Sequence, residues 1–80
     1  MNNQSFLLTF EWDSKNEILE IHSDTLGLEK LVSKLTQLLK AKENDHMHLM
    51  TSNWGGKELT DEKQCDLNVL INHVKIYKWK

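Results

Sequence analysis

One amphipathic helix constrains this chain more than any other feature of its sequence. After Asp24, aliphatic residues recur at helical spacings, at Leu28, Leu31, Val32, Leu35, Leu38 and Leu39. This period predicts an α-helix with one apolar stripe. Asp24 stands where an N-cap belongs, because its side chain can accept hydrogen bonds from the free N–H groups of the first turn. We therefore predict a helix after Asp24 that buries its stripe against another layer.

Segments on both sides of the helix have the composition of β-strands. Residues 5–12 and 17–23 are rich in aromatic and aliphatic side chains and flank a turn-forming run at 13–16, which predicts a hairpin. Residues 46–51 alternate, with Met47 and Leu49 on one face and the histidines on the other. Residues 67–79 predict a long last strand, and their mixed alternation indicates a bulge or burial on both faces.

This order, β-β-α-β-β, predicts the fold class. One helix and four strands bury best as a small two-layer α+β domain, with the helix packed on a mainly antiparallel four-stranded sheet. The 80 residues fit a single domain, 1–80. A chain this short has a thin core.

The charges disfavour nucleic acid and acidic membranes as partners. The net charge is −2, and all ten basic residues are lysine. Arginine, the usual residue for bidentate phosphate recognition, is absent. Lysines alternate with Tyr77 and Trp79 near the C-terminus, a pattern that can bind single strands. The simpler interpretation is an edge strand protected by lysine from self-pairing.

The single cysteine and the apolar pattern indicate a cellular location. Cys65 has no partner for an internal disulfide, which is typical of a reducing compartment. The N-terminal residues lack the pattern of a signal peptide, and no apolar run has the length of a membrane span. We expect a cytoplasmic protein.

The histidines suggest a metal site as an alternative. His46 and His48 lie two residues apart on one strand face, and His73 and His22 lie on other strands. Cys65, Asp61 or Glu58 could complete a tetrahedral site. The favoured interpretation is that these histidines are half-exposed strand residues, because no second compact ligand pair accompanies them.

A catalytic site is a weaker hypothesis. Cys65, His73 and Asp61 supply a nucleophile, a base and an orienting group, but no motif fixes their geometry. We expect no catalytic residues and no cofactor.

The loop after the third strand is the better candidate for binding. Trp54 precedes Gly55 and Gly56, which can form a specific bend. A tryptophan at such a bend either covers the core or projects as a contact anchor. The loop also carries four carboxylates, at Glu58, Asp61, Glu62 and Asp66.

Two segments resemble the immunity protein 32 family of bacterial polymorphic toxin systems. These are HLMTSNWGGKEL at 48–59 and NHVKIYKW at 72–79, and the helix segment DTLGLEKLVSKLTQLL is similar too. The motif positions are His48, Trp54, Gly55, Gly56 and Glu58. The resemblance covers most of the chain.

The resemblance implies a small α+β protein, encoded beside a toxin, that binds the cognate toxin domain and neutralises it in the cytoplasm. It implies no established catalytic residues. In this hypothesis Trp54 is the anchor, His48 contributes to the contact, and Gly55 and Gly56 shape the loop. Glu58, Asp61 and Glu62 supply charge that speeds association. The protein is then a monomer or a homodimer. The alternative is a small metal-binding domain or enzyme that uses His46, His48 and His73.

Overall fold

The computed structural model describes residues 5–80 and contains one helix and five strands. In chain order these are β1 (Leu8–Asp13), β2 (Ile18–Ser23), α1 (Thr25–Leu39), β3 (Asp45–Met50), β4 (Val69–Leu70) and β5 (His73–Lys78). The predicted α+β class with antiparallel strands and one helix is confirmed. Residues 1–4, which belong to the segment predicted to carry no leader, lie outside the described range.

The strands form two sheets, not the single four-stranded sheet that we predicted. One sheet has the order β2-β1-β4, the other pairs β3 with β5, and all the pairings are antiparallel. The predicted last strand divides at Ile71 and Asn72. Ile71 N–H donates to Phe10 O, which extends the pairing with β1, whereas Asn72 O accepts from Thr51 N–H, beside β3. This break therefore transfers the chain from one sheet to the other.

Two residues of the loop after β3 join the sheets. Leu59 N–H donates to Met50 O at 3.1 Å, and Thr60 N–H donates to Leu8 O at 2.8 Å. Leu8 N–H in turn donates to Thr60 Oγ1 at 3.0 Å. Leu59 and Thr60 are fully buried. The absence of a period predicts a long loop for this segment, but Leu59 and Thr60 are buried in it.

The helix begins as predicted. Asp24 Oδ1 accepts from Gly27 N–H at 2.7 Å, as an N-cap does. A side chain at Gly27 would collide with Leu7 O, so the first turn lies directly on the chain leading into β1. Leu31 joins the core cluster with Leu8, Phe10, Leu49 and Leu59.

Only part of the predicted apolar stripe is buried. Leu31 and Leu38 are buried, whereas Leu28, Val32, Leu35 and Leu39 remain 40–72% exposed. Since the helix packs on β2 and β3 along one line of side chains, the neighbouring line of the wide apolar sector faces outward. The prediction that the whole stripe lies in the core was wrong for these four residues.

Strand β1 is buried on both faces. Leu8 and Phe10 point into the core under the helix, as expected. Thr9 and Glu11 point the other way and are also fully buried. Residues 60–68 contribute to this burial, because Gln64, Cys65 and Asn68 contact Glu11 there. Strand alternation correctly predicts that these two pairs lie on opposite faces. It does not show that a loop covers the face of Thr9 and Glu11.

Within residues 5–80, no helix has both the length and the apolar character that a membrane crossing requires.

Candidate functional site

Six aromatic and imidazole rings form a continuous row on the outer face of the β3–β5 sheet. Met47, Leu49, Val74 and Ile76 pack toward the core, so the alternating residues of both strands point away from the helix. From one end to the other, the ring row consists of Trp54, His73, His48, His46, Tyr77 and Trp79. The ring row is a large exposed surface on an otherwise small domain.

Each ring in the row contacts the next. The centroids of Trp54 and His73 lie 6.3 Å apart, and those of His73 and His48 lie 5.0 Å apart with stacked planes. His48 and His46 meet edge to face at 4.9 Å. The row continues by stacking of His46 on Tyr77 at 5.2 Å and of Tyr77 on Trp79 at 5.7 Å. Such contacts restrict the side chains before any partner arrives, which lowers the entropic cost of binding.

His48 and His73 share a hydrogen bond. His48 Nδ1 lies 2.8 Å from His73 Nε2, so one ring donates and the other accepts. This bond requires that at least one of the two imidazoles is neutral. Partial burial lowers the pKa of His48, and the positive charges of His46, His73 and Lys75 lower it further. The pKa of His48 therefore lies below its ordinary value of 6.5.

Few lysines lie beside the ring row: Lys75 shares its face, and Lys34 of α1 lines a depression with His46 and His48. Lys75 is the lysine that alternates with His73 and Tyr77 on this face of β5, and its Nζ lies 5.2 Å from the Tyr77 ring centroid. Lys78 instead reaches back to donate to Ala41 O. Binding of single-stranded nucleic acid combines stacking with several phosphate contacts. A face of this composition is better matched to a protein surface, where aromatic residues dominate the binding energy.

The bend after β3 projects Trp54 outward. Ser52–Trp54 form a single 3₁₀ turn that ends at Gly55, whose φ of +82° is the left-handed conformation glycine favours. A side chain at Gly56 would collide with the backbone and Cβ of Met50, so the chain runs close to the end of β3. Trp54 is 60% exposed. The sequence allowed Trp54 either to cover the core or to project from the bend. The structure shows that it projects.

The predicted loop carboxylates differ in their surroundings. Glu58 Oε1 accepts from Met50 N–H at 3.0 Å, and Asp61 Oδ2 accepts from Ser52 Oγ at 2.8 Å. Both carboxylates thereby help to hold the bend that presents Trp54. Glu62 and Asp66 are exposed and lie farther along the loop. A role for Glu58, Asp61 and Glu62 in partner binding stays a prediction.

The structure brings together only part of each predicted metal or catalytic group. His48 and His73 are in contact, and His46 adjoins His48. Cys65 lies instead beside Glu11, to which its backbone N–H donates. Among residues 5–80, the histidine, cysteine and carboxylate side chains that gather in a trio with ligand atoms within 4.8 Å are Glu11, Glu20 and His22.

Glu11 is the centre of a buried polar network that the sequence analysis missed. Its Oε2 accepts from Thr9 Oγ1 at 2.7 Å and Gln64 N–H at 2.8 Å. Its Oε1 accepts from Asn68 Nδ2 at 3.1 Å and Cys65 N–H at 3.2 Å. Burial raises the pKa of Glu11, but the bonds from Gln64, Thr9, Asn68 and Cys65 outweigh burial and hold the pKa below its ordinary value of 4.5. This fully satisfied carboxylate fastens residues 64–68 to β1.

Two cross-strand partners surround this network. Glu20 Oε1 accepts from Asn68 Nδ2 at 3.0 Å and lies 2.8 Å from His22 Nε2. His22 and Glu20 are partly exposed, whereas Glu11 is fully buried. Since Glu11 already accepts four hydrogen bonds, we assign the network a structural role.

The sequence contained a signal for the far end of the ring row. Tyr77 and Trp79 alternate with His73 and share a face with it, but we interpreted this face as a protected edge. The structure shows that β3 pairs with β5 and that His46 lies directly opposite Tyr77. That register joins two separate stretches of sequence into one surface.

Comparison of the chain with protein-family models, with curated proteins and with solved structures finds no match. The resemblance to the immunity protein 32 family therefore remains a hypothesis based on the motif residues, and we identify the candidate site by its geometry alone.

Proposed function

We propose that this chain is a non-catalytic immunity protein that binds and neutralises a bacterial toxin domain in the cytoplasm. The observation that carries the binding part of this proposal is the exposed ring row. Large exposed patches of aromatic side chains on small domains mark interaction sites. The class of partner, a toxin, comes from the resemblance of residues 48–59 and 72–79 to the immunity protein 32 family.

Neutralisation in this proposal is stoichiometric. The ring row docks on the toxin domain and prevents access of its substrate, with most of the binding energy in a few aromatic anchors. Trp54 is the most projecting of these on the loop side, and Tyr77 and Trp79 lie at the other end. The exposed carboxylates of the loop, Glu62 among them, accelerate association with a basic toxin surface.

Co-expression with the toxin encoded in the neighbouring gene tests this proposal. We expect that cells producing the toxin alone stop growing, and that the wild-type chain restores growth and co-purifies with the toxin. A variant in which Trp54 and Tyr77 are both replaced by alanine should fail in both respects while remaining folded. Continued toxicity in the presence of wild-type protein, without a complex, would rule the proposal out.

One observation favours metal binding as a second candidate function. The facing nitrogens of His48 and His73 are close enough to bind one ion after a small separation, and His46 is adjacent. This candidate predicts that purified protein contains stoichiometric zinc and loses stability when a chelator is added. If the ring row is instead a protein-binding face, elemental analysis finds less than stoichiometric metal, and replacing His73 by glutamine leaves that content unchanged.

A further inference from the structure

The helix exposes a second apolar surface, made of residues that do not belong to the ring row. Leu28, Val32, Leu35 and Leu39 are 50, 55, 40 and 72% exposed. They follow one another at spacings of four, three and four residues, so they form one line along the helix. We call this line the α1 ridge. It adjoins the buried line of Leu31 and Leu38, which packs toward the sheet.

The spacing of the α1 ridge is that of a helix-pairing seam. Residues that alternate at three and four along a helix occupy the a and d positions of a heptad and pack between the side chains of a second helix. Two further apolar residues, Leu19 and Ile21 of β2, are also about half exposed. Their cross-strand partners are Trp12 and Phe10, so both lie on the face that carries the helix.

We propose that the α1 ridge is the interface of a homodimer in which two copies of α1 pack antiparallel about a two-fold axis. The axis passes between Val32 and Leu35, so that Val32 of each copy meets Leu35 of the other. Leu28 then meets Leu39 of the second copy. A two-fold axis makes the same patch serve both partners and supplies every contact twice.

Charges beside the ridge favour this antiparallel arrangement. Glu29 and Lys40 are exposed and lie on the same flank of the ridge, Glu29 in the second turn of α1 and Lys40 at its C-cap. Antiparallel packing brings Glu29 of each copy toward Lys40 of the other. Parallel packing about a two-fold axis would place these two flanks on opposite sides of the seam and leave the charges unpaired. The same chain therefore offers complementary charge to a second copy of itself.

The proposed dimer leaves both ring rows free. His46, His48 and His73 point away from the sheet face on which α1 packs, whereas the ridge lies on the outer side of α1. Each dimer can then bind two partners without rearrangement. The inference is independent of the proposed function, because no residue of the ring row belongs to the ridge.

Molar mass measured by light scattering during size-exclusion chromatography tests the dimer. We expect wild-type protein at about 100 μM to elute with twice the mass of the chain. Val32→Asp places a charge at the centre of the seam and should give a monomer with an unchanged far-ultraviolet circular dichroism spectrum. Trp54→Ala, in the ring row and outside the ridge, should remain dimeric.

A charge exchange gives the more specific test. Glu29→Lys and Lys40→Glu should each raise the dimer dissociation constant about tenfold, because each places like charges together. The double variant should return the constant to within about threefold of wild type, since its opposite charges meet again. A wild-type monomer at this concentration would overturn the proposal. So would a double variant no tighter than the single ones, or a dimer that Trp54→Ala dissociates and Val32→Asp does not.

Discussion

In the proposed complex with a toxin domain, replacement of Trp54 by alanine should weaken binding about 30-fold or more, corresponding to about 2 kcal/mol or more. The indole projects from a bend held by Gly55 and by the bonds of Glu58 and Asp61. It can therefore bury its surface in the partner at little cost in conformational entropy. Titration calorimetry with the purified toxin domain measures the effect.

Leu67 supplies the matched control for the Trp54 variant. Its side chain is 89% exposed and lies beside the β1–β2 turn, in a group that includes Asp13 and Asn16. Leu67→Ala removes a comparably accessible apolar group from outside the ring row and should change the dissociation constant less than about threefold. Equal losses for the two variants would show that the binding site is not centred on the ring row.

Replacement of Glu11 by glutamine should lower the free energy of unfolding by about 3 kcal/mol and the melting temperature by roughly 15 °C. The carboxylate accepts bonds from four donors, two of them backbone N–H groups of Gln64 and Cys65. In glutamine an NH₂ group replaces one of the two oxygens. Because this group donates and cannot accept, some of the four donors would lose their hydrogen-bond acceptor. Urea denaturation at pH 7 measures the loss, and Glu20→Gln, partly exposed in the same network, should cost less than about 1 kcal/mol.

The pH dependence of stability gives an independent check on Glu11. Its pKa in the folded protein lies below the ordinary 4.5, so the unfolded chain binds the proton more tightly. The stabilisation from Glu11 is complete above pH 4.5 and is lost as the pH falls through the folded pKa. Glu11→Gln should therefore show a flatter decline of stability in this acidic range. The structural role of the carboxylate would be contradicted if Glu11→Gln were as stable as wild type at pH 7 and lost the same stability in acid.

Local elements of the fold were predictable because their causes lie within a few residues of sequence. The Asp24 cap, the turn between β1 and β2 and the outward direction of His46 and His48 follow from side-chain chemistry and strand alternation. The two-layer α+β class followed from the order of these elements. None of these conclusions needed knowledge of which strands pair.

Features that depend on distant contacts were not predictable in the same way. The last segment divides between two sheets because Ile71 pairs toward β1 and Asn72 toward β3, a choice set by the register of both partners. Glu11 is buried because residues 64–68, more than 50 positions away, close over it. The exposure of Val32 and Leu39 reflects how much of a wide apolar helix a small sheet can cover.

The candidate site was likewise predictable in its local features and not in those that depend on strand pairing. The sequence placed His46 with His48 on one strand face and His73 with Tyr77 on another, and it singled out Trp54. It could not show that these groups form one row, because that requires the β3–β5 register in which His46 faces Tyr77. It also left Trp54 equally placed between a buried and a projecting position, and the exposure of its side chain shows the projecting one.

The most direct test of the ring row as the binding face uses the three tryptophans as internal probes. Trp54 and Trp79 lie at the two ends of the row, whereas Trp12 lies on the helix-bearing face of β1. Protein labelled with 5-fluorotryptophan, with each ¹⁹F resonance assigned by a single Trp→Phe variant, is titrated with the toxin domain. We expect the Trp54 and Trp79 resonances to shift or broaden while the Trp12 resonance keeps its position. A shift of Trp12 with unchanged Trp54 and Trp79 would contradict the ring row as the binding face.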